Sequence, residues 1–297
     1  MRKLSVRLCL LIGVTLAASS LQADVIISPG SMGSWAFDTT DANGTSCSLG
    51  GSVGYNCDGL AVTQMVTGPG TPPLGVGSAE LMTAPNPNSG GDGAAVISDT
   101  GLDGTSISDL TALSYSTYDA VNNGSQFPYL ALVITWDGGA DNDILFFEPP
   151  YQTDASGNPG CAAANEQATV MNTWQTWNAL SGCWWDDNGF ALAGAGAGHV
   201  ETLAAILTAE GATGATIEPL SALLFPNTEG GLALQVGYAS ASDNFTGYVD
   251  NVTIGISGVN TTYDFDPAPV PEPFSIVLLL TACVGIGAVK RGKLFRA

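Results

Sequence analysis

The sequence predicts an all-β protein, a single jelly-roll-like β-sandwich with one short helix, on three observations. Short apolar and aromatic runs recur along the chain. The 38 glycines and 16 prolines are scattered between those runs as turn punctuation and are not gathered into a linker. Only one segment carries a helical period.

In chain order, strands are expected over residues 25–27, 94–97, 113–118, 129–136, 144–147, 232–239, 247–256 and 261–265. The run YLALVITW at 129–136 is apolar on both alternating sets, which predicts a central strand buried on both faces. LALQVGYA at 232–239 alternates better and predicts a half-exposed strand. The helix is expected from Val200, Leu203, Ala204 and Leu207, with Glu201 in its first turn and Gly211 just past its end. The preceding GAGAG at 194–198 reads as a flexible loop; no lysine follows it, so it is no phosphate cradle. No internal repeat and no charged or Ser-rich linker divides residues 24–266, which read as one domain.

Both ends are of a different kind. Residues 1–23 have the plan of a secretory signal peptide: Arg2, Lys3 and Arg7, then an apolar stretch at 8–18, then small residues. Cleavage is expected after Ala23, with 18–20 as the alternative position. Residues 267–297 hold Pro271, Glu272 and Pro273, then an uncharged apolar run at 274–289, then Lys290, Arg291, Lys293 and Arg296. Sixteen apolar residues fall short of the ~20 an upright helix needs, and Leu294 and Phe295 extend them while the cations snorkel. A transmembrane helix over 274–289 followed by cations puts the C-terminus in the cytoplasm and the main body outside.

This order of Pro-Glu-Pro motif, apolar span and basic tip resembles the PEP-CTERM sorting signal of Gram-negative bacteria, a tail also labelled the ice-binding-protein C-terminal domain. The resemblance implies export through the Sec translocon and transient anchoring in the inner membrane. It further implies recognition at Pro271, Glu272 and Pro273 by the protease-transpeptidase exosortase, then transfer to the cell surface or extracellular matrix, commonly beside exopolysaccharide. The middle of the chain resembles an ectodomain that recurs in secreted PEP-CTERM proteins. The likeness rests on GPGTPPLGVGS at 68–78, LSYSTY at 113–118, FFEPPYQ at 146–152, TWQTW at 173–177 and VDNVTIG at 249–255. It implies a sandwich similar in shape to lectin-like and carbohydrate-binding modules and brings no catalytic residues with it.

Charge divides the chain sharply. All seven Lys and Arg residues lie in the two terminal segments, and all 27 Asp and Glu residues lie between Asp24 and Glu272. The carboxylates between must therefore be solvated, hydrogen-bonded or paired with metal ions. Self-repulsion on this scale opposes compaction, and salt screens it only beyond roughly 8 Å. Bound Ca²⁺, which takes 6–8 oxygen ligands, would relieve it; a saline habitat is the other source of such acidity. Nucleic acid and anionic membrane surfaces are excluded as partners, because both draw affinity from Lys and Arg.

Outside the signal and the anchor stand four cysteines: Cys47, Cys57, Cys161 and Cys183. Two local disulfides, Cys47–Cys57 and Cys161–Cys183, are the simplest of three connectivities. A zinc site is the competitor, and neither spacing matches its usual pattern.

Candidate metal ligands begin with Asp137, Asp141 and Asp143, an acidic loop between two strands that lacks the EF-hand glycine; the alternative is a solvated hairpin loop. The run DDNG at 186–189 has the same two readings, and its residues fit a turn better than a ligand set. Asp250 is a further calcium candidate, sharing an ion with Asp38 or Asp41 from the first strands. Trp174, Trp177, Trp184 and Trp185 fall within twelve residues; they either stack on sugar rings or pack the core over a disulfide. For nucleophilic catalysis the chain offers only His199, in the glycine loop, and no G-x-S-x-G elbow. The expected protein is thus a non-enzymatic, exported, surface-sorted sandwich with calcium and exopolysaccharide as its ligands. The alternatives are a secreted glycan-active hydrolase, for which no carboxylate pair stands out, and a purely structural envelope protein.

Overall fold

The computed structural model of the chain describes residues 24–39, 54–57, 60–85, 93–152, 167–186, 200–218 and 230–267. Among them sixteen strands pair into two sheets. In chain order these are β1 Val25–Ile27, β2 Trp35–Phe37, β3 Gly54–Cys57, β4 Ala61–Thr67, β5 Gly77–Thr83, β6 Ala94–Asp99, β7 Leu110–Val121 and β8 Tyr129–Trp136. There follow β9 Asp141–Phe147, β10 Gln175–Asn178, β11 Cys183–Asp186 and β12 Glu201–Thr202, then helix α1 Leu203–Glu210. The last are β13 Thr216–Ile217, β14 Leu232–Gly237, β15 Phe245–Ile256 and β16 Val259–Phe265.

The first sheet is built on β15. One edge of β15 pairs with β7, which in turn pairs with β10. Its other edge is shared: residues 245–249 pair with β5, and residues 252–256 pair with β16. From this fork β4 and β3 continue one branch and β1, parallel to β16, continues the other. The second sheet runs β12-β11-β9-β8-β14-β6-β2, with β13 prolonging the β14 edge along β8. The architecture is β-sandwich-like, as the sequence predicts.

Alternation along the strands supplies a common core. Leu130, Leu132 and Ile134 of β8 and Leu145 and Phe147 of β9 meet Tyr115, Val249, Val252 and Phe265 of the first sheet. The opposite set, Tyr129, Ala131, Val133, Ile144 and Phe146, forms a second buried cluster with Ala94, Val96 and Ala233. Strand β8 is therefore apolar and buried on both faces, the pattern expected of a central strand.

Two expectations need correction. Strand β14 is buried at all six positions, not half-exposed, because it lies between β8 and β6 and its second face joins the outer cluster through Ala233. The helix starts three residues later than its period suggests. Glu201 and Thr202 pair with β11, and the Thr202 hydroxyl caps the helix by accepting from the Ala205 amide at 3.2 Å. Gly211 ends it in the left-handed conformation, φ 69°. Among the described residues no helix is long and apolar enough to cross a membrane. The expected signal peptide at 1–23 and the sorting tail at 268–297 lie outside the described residues.

Candidate functional site

Three carboxylates converge at one end of the sandwich. Asp143 and Asp186 project from the adjacent strands β9 and β11 toward the inner side, on the same faces as Leu145 and Trp184. Helix α1, seated on the core through Leu203 and Ile206, brings Glu210 from its last position. One oxygen from each of the three lies within 4.8 Å of the others. Asp143 is 1% exposed and Asp186 3%, and both Glu210 oxygens are shielded from solvent without a hydrogen bond of normal geometry. The Glu210 carboxyl is pushed up to about 8, first by burial and then by Asp143 and Asp186. No Lys or Arg exists between residues 24 and 267 to balance the group. The donor set is all carboxylate oxygen, which suits a hard cation of the Ca²⁺, Mg²⁺ or Mn²⁺ kind and not zinc or copper.

The structure separates most of the acidic residues that the sequence groups. Asp137 and Asp141 are exposed at the β8–β9 turn, while Asp143 is buried and meets Asp186 and Glu210 instead. Asp38 follows β2 in the second sheet and accepts from the Ser98 hydroxyl. Asp250 lies in β15 of the first sheet and accepts from the backbone amides of Leu74 at 3.0 Å and Phe265 at 3.2 Å. Burial, with the nearby charge of Asp264 adding, lifts Asp250 to about 7 against those amides. Asp38 and Asp250 thus serve different neighbours, and Asp41 lies outside the described residues. Sequence reasoning missed Glu210 altogether; its place at the last turn of a capped helix, facing Asp186, is visible only once the helix is placed.

The tryptophan cluster splits. Trp177 and Trp184 have no exposed surface and belong to the core, their indole N–H groups donating to Thr117 Oγ1 at 2.9 Å and the Ala179 carbonyl at 2.8 Å. A sugar-stacking role for these two is therefore overturned by their burial. Trp185 is half-buried and stacks on Phe146 with centroids 4.3 Å apart; its N–H donates to Glu148 Oε1 at 3.2 Å. Trp174 is also half-buried and donates to the Pro69 carbonyl at 2.9 Å, so the TWQTW and GPGTPP segments touch.

Trp174 also ends a row of half-buried side chains that crosses the first sheet. Tyr118 of β7, Tyr248 of β15, Glu80 of β5 and Gln64 of β4 are direct cross-strand partners in turn. Ring centroids are 5.7 Å apart for Trp174 and Tyr118 and 5.9 Å for Tyr118 and Tyr248. Tyr248 donates its hydroxyl to Glu80 at 2.9 Å, and Gln64 donates to the other Glu80 oxygen at 2.6 Å. Three aromatic rings beside a carboxylate and an amide make an amphipathic strip across this face of the sheet.

Of the expected disulfide residues, Cys47 and Cys161 lie outside the described residues, and of Cys57 only the backbone is described. Cys183 is buried beside Val200. Two open grooves, of about 420 and 360 Å³, are lined by Thr111, Ser114, Thr176 and Asn178 and by Ile107, Leu110, Leu203 and Leu207, with no carboxylate or imidazole among their lining residues. No protein-family model, no curated protein and no solved structure matches the chain.

Proposed function

We propose that the chain is an exported, exosortase-sorted, non-enzymatic jelly-roll-type sandwich that works at the cell surface or in the extracellular matrix. It contacts exopolysaccharide and is balanced there by Ca²⁺. The division of charge carries this reading: cations stand only in the two terminal segments, and residues 24–272 hold carboxylates alone. A domain with no internal cation is suited to a compartment that supplies divalent ions at high concentration, and Asp143, Asp186 and Glu210 form a place for one. The tail brings the sorting motif Pro271-Glu272-Pro273 and an uncharged apolar run at 274–289 that Leu294 and Phe295 extend toward membrane length. Cys47–Cys57 and Cys161–Cys183 are the disulfides this compartment would form.

The strip of Trp174, Tyr118, Tyr248, Glu80 and Gln64 supports glycan contact better than the tryptophan cluster does. Its rings keep part of their surface in solvent, and its polar groups already point along one face.

Fractionation of the native host with intact-mass measurement tests the reading. The expected product starts near residue 24, ends near the Pro-Glu-Pro motif, carries two disulfides and is found at the surface or in the medium. A full-length, reduced protein folded in the cytosol would contradict it. Exopolysaccharide pull-down then separates glycan contact from a purely structural envelope role, and release of reducing sugar during the same incubation would favour the hydrolase.

A further inference from the structure

The fork in the first sheet leaves a gap where β5 begins and β16 ends. Gly77 opens β5 and Phe265 closes β16, each two positions beyond its strand's last pairing with β15, at Val249 and Val252; between those pairings the register of β15 against β7 shifts and Asn251 takes φ 53°. The segment before β5 enters this gap. Asp250 receives the Leu74 and Phe265 amides, and Asp266 Oδ1 receives the Val76 amide at 3.2 Å. β1 closes the far side: Ile26 is the register partner of Asp264, and the Asp266 amide donates to the Ile27 carbonyl at 2.9 Å.

Two carboxylates in the gap are left over. Asp266 is completely buried and Asp264 is 6% exposed. Asp266 Oδ2 and Asp264 Oδ1 are buried atoms with no hydrogen-bond partner. They face the same spot. A Cβ placed on Gly75 would lie 2.7 Å from Asp266 Oδ2 and 2.8 Å from each Asp264 oxygen, and Gly75 itself has φ 51°. Only glycine leaves that spot open. A buried acceptor with no donor costs on the order of 1–3 kcal/mol, more when charged, and two facing carboxylates repel each other as well. Asp24, just before the first strand, adds its charge. No Lys or Arg lies within the domain to answer them.

We propose that Asp264 and Asp266 are ligands of a divalent cation of the calcium class, held in the gap between the start of β5, the end of β16 and β1. Asp250 acts as a positioning residue, its carboxylate fixing the 72–76 segment and the β16 end from behind. The bound ion neutralises the leftover oxygens and ties together the first strand, the 68–76 loop and the last strand. It does so five residues before Pro271, where the tail leaves the domain. This site is separate from the group of Asp143, Asp186 and Glu210 and shares with the exported reading only the external supply of the ion.

Calcium titration of the full chain in detergent, followed by calorimetry, tests it. The expected wild-type result includes a Ca²⁺ event with a Kd on the order of 10⁻³ M or tighter. That event weakens at least roughly tenfold in Asp264→Asn/Asp266→Asn and persists in Asp186→Asn/Glu210→Gln. In chelator the fork variant unfolds at the same temperature as wild type or higher, because a repulsion has been removed; a merely structural pair would lower it. If the double variant does not fold, Asp264→Asn alone carries the same expectations. Calcium binding that is absent from the wild type, or unchanged in the fork variant, overturns the proposal. Neither result bears on where the cell sends the protein, so the exported reading stands or falls separately.

Discussion

At the scale of single residues, Glu148 shows how this chain handles acidity. It is 8% exposed, close to Tyr115 and Tyr151, and held by the Trp185 indole. Burial raises its carboxyl to about 7. A carboxyl raised on folding lends stability that is fully present below its unfolded value of 4.5 and is lost as pH rises through 7. Asp119, lifted to about 7 mainly by burial, acts in the same direction. Stability in chelator should therefore fall between pH 5 and pH 8, with Glu148 contributing up to about 3 kcal/mol of the loss. Glu148→Gln keeps the acceptor for Trp185 and should be the more stable protein at pH 8 while matching wild type near pH 4.5. Urea titrations at the two pH values measure this; equal slopes with pH for both proteins would contradict it. Trp177 tests the core in the same way: Trp177→Ala should cost about 3–5 kcal/mol in a urea titration. A cost below 1 kcal/mol would mean that the ring is not buried in solution.

At the scale of elements, the forked β15 decides how the chain is assembled, and nothing in its sequence announces the fork. The 247–256 period marks a strand; which partner takes which half depends on where β5 starts and β16 stops. Strands with strong apolar runs were legible in sequence: β1, β6, β8, β9, β15 and β16 lie where periodicity puts them, to within a few residues. Strands β4 and β5, AVTQMVT and GSAELMT, mix small, polar and sulfur-bearing residues and carry no clean period. They owe their state to pairing with each other and with β15. Strands β12 and β13 are two residues long and exist only through their partners. The helix shows the limit of period alone, since Thr202 sets its start by capping. Thr202→Ala should cost about 1 kcal/mol and loosen Glu210, with faster amide exchange over residues 203–206 as the readout. Unchanged exchange there would refute the capping role. The tyrosine strip is likewise an element-scale object, assembled from four strands. Trp174→Ala and Tyr248→Phe should weaken exopolysaccharide capture, Trp174→Ala the more, without moving the unfolding midpoint by more than a few degrees. Full retention by both would exclude this face.

At the scale of the whole molecule, the acidity and its confinement to the middle of the chain were plain from sequence, but the sites were not. An acidic loop reads as a ligand set because its members adjoin in sequence. Folding instead exposed Asp137 and Asp141 and sent Asp143 to meet partners 43 and 67 positions away, Asp186 and Glu210. The leftover oxygens of Asp264 and Asp266 became visible only when the backbone amides around them had been assigned to others. Distance along the chain hides such groups, and charge balance reveals them. With 27 acidic residues and no internal cation, the folded state must draw positive charge from solvent.

Thermal unfolding of the protein at pH 7 in calcium and in chelator, with sodium chloride added to equal ionic strength, tests that requirement most directly. The expected midpoint is several degrees higher in millimolar Ca²⁺ than in the sodium control, with a gain that grows with the calcium concentration. A midpoint set by ionic strength alone, the same for calcium and sodium, would contradict it.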